Sequence, residues 1–242
     1  MKILITSGGT KIPIDTVRDI TNMSTGTFGT RIAEAFLNLG HDVHFVRAKG
    51  SKSPMRIVFD FNNTNPETDL VPGFEQWLKT RAKWKCHYTE AEYKTFEQYE
   101  RCLQWGITGK KPDVVVLAAA VSDYYVPKPI KGKIRSNDML TIKLESLPKL
   151  INRVKGEWAP DVKLVGFKLL VGSTKSKLIL ASEKSCEENG CDMVVANDLE
   201  DIKFDKHKVI IVRPKTVPVI YNSDPNDPDF LAKKIVEHIE QL

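Results

Sequence analysis

The stretch ILITSGGTKIPIDTVRDITNMSTGTFGTRIAEAF, residues 3–36, decides the fold class. It opens as an apolar run ending in Ser7-Gly8-Gly9-Thr10, the pattern of a buried strand entering a turn. It closes with Ser24-Thr25-Gly26-Thr27-Phe28-Gly29 at the head of a helix pattern, where Phe28, Ile32, Phe36 and Leu39 share one face. A strand is expected over 2–6, a helix over 26–39 ended by Gly40, and a second strand over 42–47. Strand, helix and strand in that order predict a right-handed crossover and a parallel sheet. Glycines at such a junction could turn backbone N–H groups toward phosphate oxygens.

Further along, DVVVLAAAV at 113–121 is apolar on both faces, as a central parallel strand should be. Strands are also expected over 140–145, 162–169 and 192–197, and helices over 147–156, 173–189 and 228–241. Residues 208–213 and 216–221 read as a hairpin around Pro214-Lys215, either a dimer element or an extension of the sheet edge. The segment 48–112 is richer in Pro and Asn and reads as an insertion, with a helix expected over 90–105. The expected fold class is therefore α/β: a Rossmann-like, mostly parallel sheet flanked by helices, with an inserted segment and a C-terminal β-hairpin. The whole chain, 1–242, reads as one nucleotide-binding domain.

Composition narrows the function classes. Net charge is +5, and the basic clusters Arg47-Lys49-Lys52-Arg56 and Lys79-Arg81-Lys83-Lys85 come with no nucleic-acid reader motif. No signal-peptide pattern and no membrane-length apolar run occur, so a cytoplasmic protein with neither membrane nor nucleic-acid partners is expected. The four cysteines, Cys86, Cys102, Cys186 and Cys191, form no C-x-x-C pair and read as reduced thiols. There is no G-x-x-x-x-G-K-[ST], no H-E-x-x-H and no G-x-S-x-G.

Three constellations could carry chemistry. The first is the opening unit. Its glycines are split between Gly8-Gly9 and Gly26/Gly29 by a long polar loop holding Arg18 and Asn22, which is not the usual dinucleotide arrangement. Arg47 stands where an acid would be expected and could meet the 2′-phosphate of NADP. Ser24 could cap the helix and leave first-turn N–H groups to an anion; the glycines could equally serve close helix–sheet packing. The second is Asp123, just past Ala118-Ala119-Ala120-Val121, followed by Lys128, Lys131, Lys133 and Arg135. A carboxylate beside several cations suits Mg²⁺ with a polyphosphate. The third pairs Phe167 with Asn197, an aromatic ring and an amide suited to flanking and reading a nucleobase.

Together the segments ITSGGT at 5–10, IDTVRDITNMSTGTFG at 14–29, AAAVSDYYVP at 118–127, GKIRS at 132–136, VGFKL at 165–169 and AND at 196–198 resemble the phosphopantothenoylcysteine synthetase family, in the family's order. The resemblance is to a monofunctional form. It implies a ligase of coenzyme A biosynthesis that joins 4′-phosphopantothenate and L-cysteine through an acyl-nucleotidylate made from CTP or ATP with Mg²⁺. By the same resemblance Asn22 and Lys133 would be catalytic, and Arg18, Asn22, Ala119 and Ala120 would bind the acid. Gly9, Ser24, Gly26, Gly29, Asp123, Lys133, Phe167 and Asn197 would bind the nucleotide, with Asp123 also near the metal. Lys203 and Lys206 would fall on a lysine-bearing flap, and a homodimer is implied. Where some members continue VGFKL with Glu-Thr, this chain has Leu170-Val171. An NADP-binding reductase and a non-catalytic nucleotide-binding module are the alternatives.

Overall fold

The computed structural model describes residues 1–56, 71–135, 139–203 and 207–242. Strand β1 (Lys2–Ser7) leads into a small hairpin of β2 (Lys11–Pro13) and β3 (Asp19–Thr21), followed by α1 (Thr27–Asn38) and β4 (Asp42–Ala48). Next come α2 (Val71–Trp84), β5 (Tyr88–Tyr93), α3 (Phe96–Lys110) and β6 (Val114–Leu117). β7 (Tyr124–Tyr125) and β8 (Glu145–Ser146) pair with each other apart from the main sheet. α4 (Ile151–Arg153) runs into a π-helical turn, Val154–Trp158, before β9 (Lys163–Leu170), α5 (Lys175–Asn189), β10 (Met193–Asp198) and α6 (Leu199–Lys203). β11 (Lys208–Val212), β12 (Val219–Asn222) and α7 (Phe230–Ile239) come last.

The eight-stranded sheet has the order β12-β11-β10-β9-β6-β1-β4-β5. From β5 to β10 neighbouring strands are parallel, and β11 and β12 are antiparallel. Alternation along β1 sends Ile3 and Ile5 to one face and Leu4 to the other. On the first face they pack with Phe36 of α1 and Ile235 of α7; on the second, Leu4 joins Leu103 of α3 and Leu178 of α5. A parallel sheet covered on both faces explains why its strands are nearly continuous apolar runs.

Several expectations change in detail. The stretch expected to begin a helix at 90 is β5, and α3 begins only at Phe96. Two features decide this. Glu90 and Glu92 pair with Arg47 of the adjacent strand β4. Thr95 and Gln98 also form a reciprocal capping box that fixes the start of α3. The segment 48–112 thus carries α2, β5 and α3, with β5 at the sheet edge. The strand expected over 140–145 shrinks to Glu145–Ser146, and the helix expected over 147–156 becomes one short turn of α-helix and one of π-helix. The C-terminal hairpin continues the sheet through β11 against β10.

Candidate active site

The chain leaves β1 toward β4 on one side, whereas β6 and β9 lie on the other. The β1–β6 boundary is therefore the point where strand order reverses, and open α/β sheets bind ligands at the carboxyl ends there. Those two ends are stitched together. Ala120 N donates to Gly8 O at 2.8 Å, and Thr10 N donates to Ala120 O at 3.3 Å. Ser122 N donates to Thr10 Oγ1 at 2.8 Å, and Ala119 N to Thr6 Oγ1 at 3.3 Å. Asn22 reaches across from the long loop, its Nδ2 donating to Ala120 O at 3.2 Å. The structure thus brings Gly9, Asn22, Ala119 and Ala120 to one place.

The glycines at this place are required by crowding. A Cβ on Gly29 would lie 2.6 Å from Ser7 Oγ, one on Gly26 2.9 Å from the same atom, and one on Gly9 2.8 Å from Asn22 O. Gly26 holds the N-cap of α1 at φ 77°, a conformation that favours glycine, and α1 has no side-chain cap. Ser24, the candidate cap, lies two residues before it. Thr27 N donates weakly to Thr25 Oγ1 at 3.4 Å, while the next first-turn N–H groups of α1, on Phe28 and Gly29, stand at the positive end of the helix dipole without a side-chain cap, which suits an anion.

A second group is organised by Asp15, which sequence reading missed. Its buried carboxylate accepts from Val17 N, Arg18 N and Arg18 Nη1, each at 2.7 Å, and from Ile134 N at 3.1 Å. Burial pushes its pKa up. The Ile134, Val17 and Arg18 amides and then the Arg18 charge outweigh that, bringing it down to about 2. Gly132 N donates to Thr16 Oγ1 at 2.9 Å, and Thr16 N to Gly132 O at 3.2 Å. Lys133 is therefore an exposed side chain on a loop fastened on both sides of it, with Arg18 beside that loop. An aspartate two and three residues before the amides it accepts from is an Asx-turn signal.

Asp123 is more than half exposed and forms an ion pair with Lys149. Among the described residues no group of three or more His, Cys, Asp or Glu side chains could hold a metal. Phe167 and Asn197 lie on β9 and β10. Phe28, at the head of α1, meets Phe167 edge-on at 6.0 Å and His207 at 5.0 Å between ring centroids. Asn197 contacts His207 Nε2 at 2.9 Å. Asp198 is a local tie: it accepts from Gly172 N, Ser173 N and Glu200 N, and these amides lower its pKa. Lys206 and the side chain of Lys203 lie outside the described residues.

Arg47 is corrected outright. It is fully buried, ion-paired with Glu90 and Glu92, and donates to the carbonyls of Ala48 and Ser51. Its charge is already met inside the protein, so it does not await a 2′-phosphate.

Residues 1–65 and 97–242 match the family described as the DNA/pantothenate metabolism flavoprotein C-terminal domain. The chain belongs to this family. The bifunctional protein CoaBC of coenzyme A biosynthesis from Thermococcus kodakarensis is 36% identical over the full chain, which spans about half of that relative, 51%. The human phosphopantothenate–cysteine ligase is 31% identical over 82% of this chain and 72% of its own length. The DNA/pantothenate metabolism flavoprotein from Streptococcus pneumoniae superposes with a TM-score of 0.77 at 29% identity, covering 100% of this chain and 99% of that one. A Cab2 variant in complex with phosphopantothenate-cysteine superposes with a TM-score of 0.79 at 26% identity, covering 99% of this chain and 86% of that one. The resemblance drawn from the ordered motifs and the Rossmann-like α/β fold class both hold for this DNA/pantothenate metabolism family member. Among its described residues no helix is long and apolar enough to cross a membrane.

Proposed function

We propose that the protein is a phosphopantothenate–cysteine ligase of coenzyme A biosynthesis. The observation that carries this reading is the junction of Asn22 with Ala120, where the long loop after β1 meets the end of β6 beside the uncapped head of α1. An anion site and an amide-lined acyl site lie side by side there, as joining an acid to a nucleotide demands. Relatives bearing the ligase name support the reading.

In the proposed reaction the carboxylate of 4′-phosphopantothenate attacks the α-phosphorus of CTP or ATP, and pyrophosphate leaves. The amine of L-cysteine then attacks the acyl carbon, gives up a proton, and displaces the nucleoside monophosphate. The α1 amides between Gly26 and Gly29 receive phosphate oxygens. The Asn22 amide, with one N–H already on Ala120 O, offers its second N–H and its oxygen to the acyl group. Ala119 and Ala120 let the acid approach the backbone. Lys133 meets triphosphate charge, and Arg18, half-neutralised by Asp15, orients the acid. Phe167 and Asn197 receive the base and ribose. Asp123 offers an exposed oxygen donor of the kind that Mg²⁺ takes beside phosphates, and its partner Lys149 is exposed enough to yield. Mg²⁺ would supply neutralisation of phosphate charge there. A homodimer in the cytoplasm completes the proposal.

The test mixes the protein with 4′-phosphopantothenate, L-cysteine, Mg²⁺ and either CTP or ATP, and follows pyrophosphate. Release that depends on the acid and on one of the two nucleotides is expected. Folded protein that releases none with either nucleotide overturns the reading.

A further inference from the structure

His207 holds a part of the site that the sequence motifs do not reveal. The Asn197 side chain is buried at the end of β10, and its Nδ2 lies 3.3 Å from Lys208 O and 2.9 Å from His207 Nε2. A carbonyl oxygen only accepts, so the amide atom facing Lys208 has to be the nitrogen. That nitrogen has two protons. One goes to Lys208 O, which leaves the other for His207 Nε2. The imidazole must therefore be neutral, with a lone pair on Nε2 and its proton on Nδ1. Burial and then the Arg31 charge lower its pKa against the pull of Asp201, which favours that form. The ring is fixed by Phe28 at 5.0 Å, and its backbone is tied by Ser223 N donating to His207 O at 2.7 Å.

With both Nδ2 protons spent, Asn197 Oδ1 is the free end of the amide, and it has no hydrogen-bond partner among the described residues. The His207 ring that holds this amide packs on Phe28, which in turn meets Phe167 edge-on.

We propose that His207 is a positioning residue that locks the Asn197 amide with its oxygen outward, so that the nucleotide group read by Asn197 is a hydrogen-bond donor. Two donors on a nucleotide fit: the exocyclic amine of an amino-substituted base, or a ribose hydroxyl. A carbonyl at that position would face Oδ1 with no proton between them. The inference rests on the nucleotide-binding part of the ligase reading, but not on turnover.

Equilibrium titration calorimetry tests it on the full chain, with pyrophosphate release followed separately. The base arm compares CTP with UTP and ATP with ITP; the ribose arm compares each parent with its 2′-deoxy and 3′-deoxy forms. Loss of one net hydrogen bond predicts roughly fivefold weaker binding in one arm. In His207→Ala the second Nδ2 proton loses its acceptor and only the longer contact to Lys208 O, at 3.3 Å, still orients the amide, so the preference should fall to about twofold or less. His207→Gln supplies an acceptor oxygen and should restore the preference. A merely structural role would weaken all nucleotides alike and leave the ratio unchanged. Equal binding of all analogues by the wild type, an unchanged ratio in His207→Ala, or no nucleotide binding at all overturns the inference. Selective binding without pyrophosphate release sinks the ligase reading and leaves the inference standing.

Discussion

Replacing Arg47 by methionine should loosen the glycine turn that the site is built on. Arg47 has no solvent exposure, and its partners Glu90 and Glu92 keep side-chain exposures of 22% and 36%. Removing one partner of a wholly buried pair costs about 3–5 kcal/mol. Both glutamates reach water here, so part of their hydration returns and the cost falls to about 2–3 kcal/mol. The loss is more than electrostatic. Arg47 Nη1 also donates to Ala48 O at 3.3 Å and Ser51 O at 3.2 Å, shaping the turn that presses Ser51 onto the glycines. A Cβ on Gly8 would meet Ser51 Cβ at 2.9 Å, and one on Gly26 would meet it at 3.1 Å.

Urea unfolding measures the effect. At an m-value of about 2–3 kcal/mol/M, the midpoint of Arg47→Met should drop by roughly 1 M. Arg47→Lys keeps the charge but not the fork, and should fall between Arg47→Met and the wild type. A cycle with Glu90→Gln separates the pair from the carbonyl contacts. Coupling of about 1 kcal/mol or more is expected between the two sites. A midpoint shift under about 0.2 M for Arg47→Met, or strict additivity in the cycle, would show that Arg47 is not held by this network and leave it an available cation.

Asn22→Ala should keep nucleotide binding within about threefold and lower pyrophosphate release by about a hundredfold or more, since it removes the amide proposed to meet the acyl group; calorimetry and the release assay separate the two. Gly29→Ala should destabilise by about 1–3 kcal/mol through overpacking, because its new methyl would sit 2.6 Å from Ser7 Oγ and 2.8 Å from Ser7 Cβ; Ser7→Gly in the same chain should recover most of the loss in thermal melts. Asp15 has its folded pKa lowered to about 2 from 3.8, so its contribution is complete above pH 3.8 and is lost as pH falls toward 2. Acid unfolding of Asp15→Ala should therefore be shallower across that window than the wild type's, and its KM for nucleotide should rise; equal slopes would remove Asp15 from its organising role.

The parallel frame was legible because apolar runs and glycine turns report backbone burial directly. β1 and α1 lie where the opening stretch places them, and β4 lies on the strand expected over 42–47. β5 was not legible as a strand. Tyr88-Thr-Glu-Ala-Glu-Tyr93 turns its acids toward Arg47 and its aromatic Tyr93 toward the carbonyls of Ser7 and Gly8 at 2.8 and 3.2 Å. Those partners are distant in sequence, so local pattern favoured the neighbouring helix. The NADP alternative stayed open at Arg47 for the same reason: a lone cation at a strand end looks available until the glutamates of the adjacent strand are seen. Ser24 misled because hydroxyl side chains are common caps, yet Gly26 takes the cap with a backbone that Ser24 could not adopt without strain. Asp15 and His207 were legible in principle only through their turn and tautomer chemistry, which needs the amides of Ile134 and Asn197 in view.

The long loop between Thr10 and Ser24 is more than a spacer between two glycine clusters. Its β2–β3 hairpin is tied at several points. Asn22 meets Ala120 at one end, Thr21 Oγ1 donates to Thr10 O at 3.0 Å, and Asp15 grips the 132–134 loop at the turn. One small element therefore fixes Asn22, Arg18 and the backbone on either side of Lys133 relative to one another. In the proposed reaction two polyanions meet, and they cannot rely on each side chain finding its own place, because every independent cation would lose rotamer entropy when the substrates bind. Fastening those groups to a single hairpin moves that ordering cost into folding. The proposed acid side and the proposed triphosphate side are then held in one frame before either ligand arrives, and loosening Asp15 should damage both at once.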